Sequence, residues 1–438
     1  MGENRFLIAL LIVLCPFLNS TVNGEVIPFD SVDKKDAVKI YDETGCLFTS
    51  YEGLVMCGYQ GWFTAEGDGA GRGWHHYEKH GQFKPGVSTI DFWPDVREYK
   101  VTYETAFQYP NGEKAHVYSP YDEESVDLHF KWMKEYGIDG VFMQRFVSEI
   151  KGSKGKNHFN KVLENALKAA KKYQRAISIM YDLSGCQPED LNFVYRDWKE
   201  LQETFDLFNN KVHPSYLRHN GKPLVAVWGV GFNDNRKYTV EDAQKLVTNL
   251  KTDSNPSSIL LGVPYYWRYL KGDTENSPLL HPLIADVDII LPWAVGRYNN
   301  KTYEKASSII TEDIAKCNDM GVDYVPLVFP GFSWGNLKNT PDQYNQIPRE
   351  KGDFLWHQIA TAKIAGAKML YVAMFDEVDE GTAIFKCLKE DNLPLNGDLR
   401  FVGIEKELEN DHYLWLTGQG ANWFHGEGSY GNVQPSRQ

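Results

Sequence analysis

The segment Tyr371-Val-Ala-Met-Phe-Asp-Glu-Val-Asp-Glu-Gly-Thr-Ala-Ile384 runs from an apolar stretch into four acids, Asp376, Glu377, Asp379 and Glu380. Carboxylates crowded this closely repel one another. Some of their pKa values rise, which leaves a carboxyl able to donate a proton near neutral pH. Two carboxyl groups of this kind suit glycoside hydrolysis: one protonates the departing oxygen and the other supports the oxocarbenium-like centre as nucleophile or base. Glu377 and Glu380, three positions apart at a strand-to-loop turn, can face one pocket at the roughly 5–9 Å separation such chemistry uses. A solvated acidic turn or a calcium site would employ the same residue types, although the spacing matches no EF-hand loop.

Acids at a strand end need a frame, and the chain supplies a repeating one. Apolar runs mark candidate strands at Leu54–Tyr59, Gly140–Phe146, Ala176–Tyr181, Leu224–Trp228, Ile259–Val263, Val287–Leu291, Tyr324–Phe329 and Met369–Phe375. Their short, continuous apolar character is that of buried parallel strands. Between them, segments with helical spacing cover Asp122–Tyr136, Asn157–Tyr173, Asp190–Phe208, Thr239–Leu250, Tyr303–Met320 and Asp353–Ala365, with a weaker one around Leu279–Ala285. Eight strand-helix alternations predict an α/β fold, a closed (β/α)8 TIM barrel in a single domain. An open doubly wound sheet is the alternative, but no Gly-x-Gly-x-x-Gly turn follows the first strand.

The longest excursion, from Phe63 to Tyr121, carries a glycine-rich stretch from Gly67 to Gly73 and the residues Trp74-His75-His76-Tyr77 and Asp91-Phe-Trp-Pro-Asp95. Loops of that length in a compact domain are usually functional. The glycine-rich stretch reads as a mobile loop rather than a phosphate cradle. A closing helix is expected at Glu405–Trp415, and residues 426–438 as a disordered tail.

In a barrel, catalytic groups sit at the carboxyl ends of the strands. Those ends bring Tyr59, Trp62, Arg145, Asp182, Trp228, Tyr265, Trp267, Trp293 and Trp334 beside the acids. Aromatic faces can stack on sugar rings, although each ring serves equally well as core packing. Arg145 needs a carboxylate partner inside a barrel, for which Asp182 and Glu377 are candidates, and a purely structural ion pair is the competing reading. A helix cap or turn competes for Asp182. Nothing resembles a Ser-His-Asp constellation.

Composition sets the outer limits. At 438 residues, with 42% apolar and 24% charged residues, the chain is an ordinary globular protein with a high aromatic share of 14%. A formal charge of −13 argues against nucleic acid as a partner. Residues 1–24 read as a secretory signal, with Arg5 ahead of an apolar run from Phe6 to Leu14 that is too short to span a bilayer. Residues 25–425 would then form the catalytic domain of a secreted or periplasmic protein, with no transmembrane segment. Cys15 raises the option of lipid anchoring, ranked below release because Leu14 before it is bulky. Cys46, Cys57, Cys186, Cys317 and Cys387 are scattered and include no Cys-x-x-Cys pair, which argues against a cysteine zinc site or a dense disulfide framework; buried thiols are expected, with one bridge as the alternative. No metal or cofactor is expected.

The stretch Phe375 to Ile384 resembles the Glu-Trp-His-Glu-Gly-Thr segment of glycoside hydrolase family 99, the endo-α-mannosidases and endo-α-1,2-mannanases. Gly58-Tyr-Gln-Gly-Trp-Phe63, with a Trp-His pair shortly after, resembles that group's opening strand. The related family 71 α-1,3-glucanases share the general pattern. The resemblance implies Glu380 as general acid/base and Glu377 as the carboxylate that deprotonates the sugar's own 2-hydroxyl, giving a 1,2-anhydro sugar and net retention. It also implies Tyr59 beside the cleaved bond, with His75 or His76 reaching substrate hydroxyls; Asp376 and Asp379 are substrate-binding candidates from their place in the acidic cluster. Val378-Asp379 replaces the family's Trp-His between the glutamates. The implied activity is hydrolysis of an α-linked, mannan-like oligosaccharide or polysaccharide. A family 71-type α-glucanase and a non-catalytic carbohydrate-binding barrel are the alternatives.

Overall fold

Val, Ile and Leu runs without polar alternation are stable only where both faces of a strand are covered, as in a parallel sheet wrapped by its own crossover helices. In the computed structural model, which describes residues 43–437, these runs form β1 (Val55–Tyr59), β2 (Gly140–Phe146), β3 (Ala176–Asp182), β4 (Lys222–Trp228), β5 (Ser258–Pro264), β6 (Ile289–Trp293), β7 (Asp323–Tyr324, resumed at Leu327–Val328) and β8 (Leu370–Val372). One helix follows each strand: α1 (Glu123–Tyr136), α2 (Ser153–Tyr173), α3 (Asp190–Phe205), α4 (Val240–Thr252), α5 (Leu280–Ala285), α6 (Asn300–Met320), α7 (Asp353–Ile364) and α8 (His412–Phe424). The architecture is the expected (β/α)8 barrel.

β1 pairs in parallel with both β2 and β8, so first and last strands meet. The opposite side closes through β7, whose first half pairs with β6 and whose second half pairs with β8. The interruption falls at Pro326, which has no N–H to give a ladder. Across it, Val325 N–H donates to Ile290 O at 3.0 Å and Tyr371 N–H donates to Pro326 O at 3.1 Å.

The acid-bearing stretch is less of a strand than its apolar sequence suggests. Pairing stops at Val372, and residues 374–384 fold back on themselves. Met374 N–H reaches Thr382 O at 3.1 Å and Ala383 N–H reaches Glu377 O at 2.9 Å, while Phe375 N–H ties the loop to Gly58 O of β1 at 2.7 Å.

Two further expectations change. The last helix begins at His412 rather than near Glu405, and it runs through Gly418 and Gly420. Those glycines allow close approach instead of ending the helix: a Cβ at Gly418 would lie 1.8 Å from the Tyr136 carbonyl oxygen of α1. Residues 426–437 have no regular structure but are held rather than loose. Trp356 Nε1 donates to Gly431 O at 3.0 Å, Tyr430 Oη to Gln419 Oε1 at 3.1 Å, and Arg437 Nη2 to Asp411 Oδ2 at 2.8 Å.

The excursion after β1 is packed as well. It contains an antiparallel hairpin, Tyr103–Gln108 with Lys114–Val117. Its glycine-rich stretch is tied down by Asp68, which accepts from Ala65 N–H at 2.9 Å, Ala70 N–H at 2.7 Å and Ser119 Oγ at 2.8 Å. The cysteines expected as buried thiols, Cys46, Cys57, Cys186, Cys317 and Cys387, are buried and form no disulfide. Among the described residues no helix is long and apolar enough to cross a membrane. The proposed signal with Cys15, and the start of the 25–425 segment, lie outside the described residues.

Strand alternation decides Arg145. Successive side chains of β2 point to opposite faces, so Gln144 turns to the barrel mouth and Arg145 to the helix layer. There its partner is neither Asp182 nor Glu377 but Asp197 of α3, with Nε–Oδ2 at 2.5 Å and Nη2–Oδ1 at 2.7 Å, while Tyr181 Oη donates to the same carboxylate at 2.7 Å. Both charges are buried. Removing one partner leaves the other desolvated and uncompensated, so Asp197→Ala should destabilise the fold by about 3–5 kcal/mol in chemical denaturation. A loss below about 1 kcal/mol would contradict this buried-pair account.

Candidate active site

The site starts at the turn that ends β1. Gly61 takes φ +59, a left-handed conformation suited to glycine, and a Cβ there would press on Val162 and Tyr59 at 3.0 and 3.1 Å. Gln60 N–H and Gly61 N–H both donate to the Asp376 carboxylate, at 2.7 and 2.9 Å. Burial pushes Asp376 up to about 7, against the pull of these amides. Asp376 is thus a clamp between the β8 loop and β1 and is not part of the cavity wall.

Beyond the clamp lies a cavity of about 220 Å³ at the carboxyl ends of the strands, with Glu377 and Glu380 in its wall. It is below the roughly 300 Å³ at which pockets for drug-sized ligands begin, so it can enclose only a small group. Glu377 is buried, its Oε1 accepting from Gln60 Nε2 and its Oε2 from Thr382 Oγ1, both at 2.5 Å. Burial, followed by the charges of Glu380 and Asp379, raises its pKa well above the ordinary carboxylate range. Glu380 is more open, and no side-chain hydrogen bond holds it among the described residues. Burial and then Asp379 push Glu380 up to about 7, with Asp182 adding to the rise and Lys338 opposing it. The pair therefore retains a proton near neutral pH.

Four more of the sequence-predicted residues line the same cavity: Trp62 after β1, Asp182 at the end of β3, Trp228 of β4 and Trp293 of β6. Trp228 and Trp293 meet edge to face at 5.1 Å. Trp62 is sandwiched between Phe146 at 4.7 Å and His76 at 3.8 Å. Asp182 Oδ1 accepts from Ser184 N–H at 2.6 Å, and burial raises its pKa. Trp62 Nε1, Trp228 Nε1 and Gln60 Oε1 are buried without a protein partner. Orphaned polar atoms of that kind are costly to bury.

The other candidates lie elsewhere. Tyr59 is fully buried beneath the site, its hydroxyl 2.8 Å from His129 Nδ1. Tyr265 packs against Tyr298 at 5.8 Å, and Trp267 is buried with Nε1 on Asp313 at 3.1 Å. Trp334 bonds Gln343 through Nε1 at 2.5 Å and stands outside the cavity wall. Asp379 sits behind the pair, with Oδ2 3.5 Å from His76 Nδ1 and Oδ1 buried without a partner. His75 and His76 face Glu149. Burial alone would lower the His76 pKa, but Asp379 and Glu149 outweigh it and the net shift is upward.

Sequence reasoning missed Gln60, Gln144, Thr382 and Glu149. Gln60 and Gln144 sit at strand ends, but an uncharged amide gives no signal there. Thr382 follows the acids by two residues, and a capping role for the carboxylate was the available clue. For Glu149 no signal existed, because its histidine partners are more than seventy positions away.

No family model and no curated protein matches this chain. Its fold is similar to that of the glycoside hydrolase family 99 endo-α-mannosidase of Bacteroides thetaiotaomicron. One structure of that enzyme, with bis-tris-propane, is 15% identical at a TM-score of 0.59, over 86% of this chain and 98% of that one. A second is 15% identical at a TM-score of 0.60, covering 86% and 99%. At this identity the likeness is one of architecture.

Raised carboxyl pKa values have a definite consequence for stability. A group of this kind contributes fully below its unfolded pKa, and that contribution is lost as pH rises through the folded value. For Glu380 the window runs from about 4.5 to about 7. Glu377→Gln/Glu380→Gln should therefore melt several degrees above the unsubstituted protein at pH 8 but close to it at pH 4.5. Equal melting temperatures at pH 8 would contradict the electrostatic account.

Proposed function

We propose that this chain is a secreted glycoside hydrolase that cleaves an α-linked, mannan-like glycan with Glu377 and Glu380. The observation that carries this reading is a pair of carboxyls, Glu377 and Glu380, that together retain a proton near neutral pH in one cavity walled by Trp62, Trp228 and Trp293. The family 99 resemblance of the acid-bearing segment and the likeness of fold support it, and a leader at residues 1–24 fits export.

In this reading Glu380, open to the cavity, protonates the departing glycosidic oxygen. Glu377, fixed by Gln60 and Thr382, takes the proton of the sugar's 2-hydroxyl. O2 then attacks C1 as the bond from C1 to the leaving oxygen breaks, giving a 1,2-anhydro sugar. In the second half Glu380 takes a proton from water, whose oxygen opens the three-membered ring at C1, and Glu377 returns its proton to O2. Two inversions give net retention. A raised pKa serves both roles, since it keeps a proton on the donor and makes the ionised partner a stronger base.

Val378-Asp379 favours a sugar or linkage other than that of the usual family member. Val378 is buried in the core and presents no group to a ligand, while Asp379 is engaged with His76. The test is hydrolysis of α-mannans, α-1,3-glucans and host-type glycans by the purified protein, with products read by mass and anomeric configuration. A retained α-anomer is expected. Glu377→Gln and Glu380→Gln should each lower kcat by roughly a hundredfold or more without loss of fold. kcat/KM of the unsubstituted protein should fall as pH rises past about 7, where Glu380 loses its proton. Full activity in Glu380→Gln would overturn the role assignment, and glycan binding without any product would favour a binding protein.

A further inference from the structure

Outside the carboxylate pair, one cluster gathers side chains suited to a metal ion. His75 and His76 leave the long β1–α1 excursion side by side, with ring centroids 4.6 Å apart. Both turn Nε2 toward the carboxylate of Glu149, just beyond β2. His75 Nε2 is 3.1 Å from Oε2, and His76 Nε2 is 3.1 Å from Oε1. One ligand atom from each residue can be chosen so that all three lie within 4.8 Å of one another. Donors bound to one tetrahedral zinc at about 2.0–2.2 Å stand roughly 3.3 Å apart, so on binding the three side chains would draw together from a spread of up to 4.8 Å. Two histidines and a glutamate also form a familiar three-ligand set that leaves a fourth position open.

A second observation comes from the far side of the His76 ring. Its Nδ1 lies 3.5 Å from Asp379 Oδ2. Histidines that bind metal usually give their remaining N–H to a carboxylate, which fixes the tautomer and orients the ring. We propose that His75, His76 and Glu149 bind a divalent transition-metal ion such as zinc, with Asp379 as the outer carboxylate. The ion would lie behind the Trp62 wall of the cavity, since His76 stacks on Trp62. This goes beyond the sequence-based expectation of no metal and does not depend on the proposed reaction.

Arg72 is the strongest competitor. Its Nη2 contacts Glu149 Oε2, so the cluster also has a purely ionic reading, and the guanidinium charge weighs against a second cation. That opposition makes Arg72 a diagnostic position: removing its charge strengthens metal binding if an ion shares Glu149, and does nothing if the cluster is only an ion pair.

The experiment is calorimetric titration of the purified, tag-free, chelator-treated protein with zinc chloride, alongside elemental analysis of bound metal. Saturable binding of a single equivalent is expected. His75→Ala and Glu149→Gln should each weaken it roughly tenfold or more, Asp379→Asn should weaken it by a similar factor, and Arg72→Gln should tighten it. Circular dichroism of each variant separates lost ligands from lost fold. No saturable zinc binding in either the unsubstituted protein or folded Arg72→Gln would overturn the proposal. So would affinity unchanged in folded His75→Ala and Glu149→Gln.

Discussion

Asp376, Glu377 and Asp379 are all buried within a single turn, where water cannot screen their mutual repulsion. The turn persists because each acid meets a different answer. Two backbone N–H groups hold Asp376, the Gln60 amide and the Thr382 hydroxyl hold Glu377, and the His76 imidazole stands beside Asp379. Glu380, the most open of the four, is left to the cavity. Similar side chains thereby acquire different surroundings and different proton affinities. The arrangement stores unfavourable electrostatics that the rest of the fold must outweigh.

The excursion after β1 is bonded directly to the turn. Asp91 accepts from Gly335 N–H at 2.7 Å and Asn336 N–H at 2.8 Å, while its own N–H donates to Val378 O at 2.9 Å. One residue thus joins the excursion to the segments beyond β7 and β8. Burial pushes its carboxyl up to about 6, against the amides and the Ser333 hydroxyl. Phe83, Trp93 and Phe107 of the excursion form an aromatic cluster with Phe401, from the segment after β8, with centroids 4.8 to 5.8 Å apart. A long loop with apolar packing can hold the rim of a cavity firmly.

The cavity wall extends this logic. His76 carries Trp62 on its face, Asp379 on one ring nitrogen and Glu149 on the other. A change at position 379 is therefore felt at Trp62 and at the end of β2, neither of which is near it in the chain. Asp379 thus ties the surroundings of the acids to the cavity wall.

The barrel was legible because its signals are local. Most β-strands are contiguous apolar runs and most helices lie between clear breaks, so the apolar run Gly140–Phe146 matches its strand to the residue and the segment Asp353–Ala365 matches its helix to within one position. The acids at 377 and 380 were legible for the same reason, since crowded carboxylates at a strand end stand out in one dimension. What the chain order could not convey was direction and partnership. Arg145 and Gln144 are adjacent, yet the strand pleat sends one to Asp197 and the other to the cavity. Tyr59 and Trp62 share a turn, but only Trp62 reaches the ligand space. Tertiary packing made those choices, because a side chain's role is set by which face of its element is buried and by which distant group lies opposite.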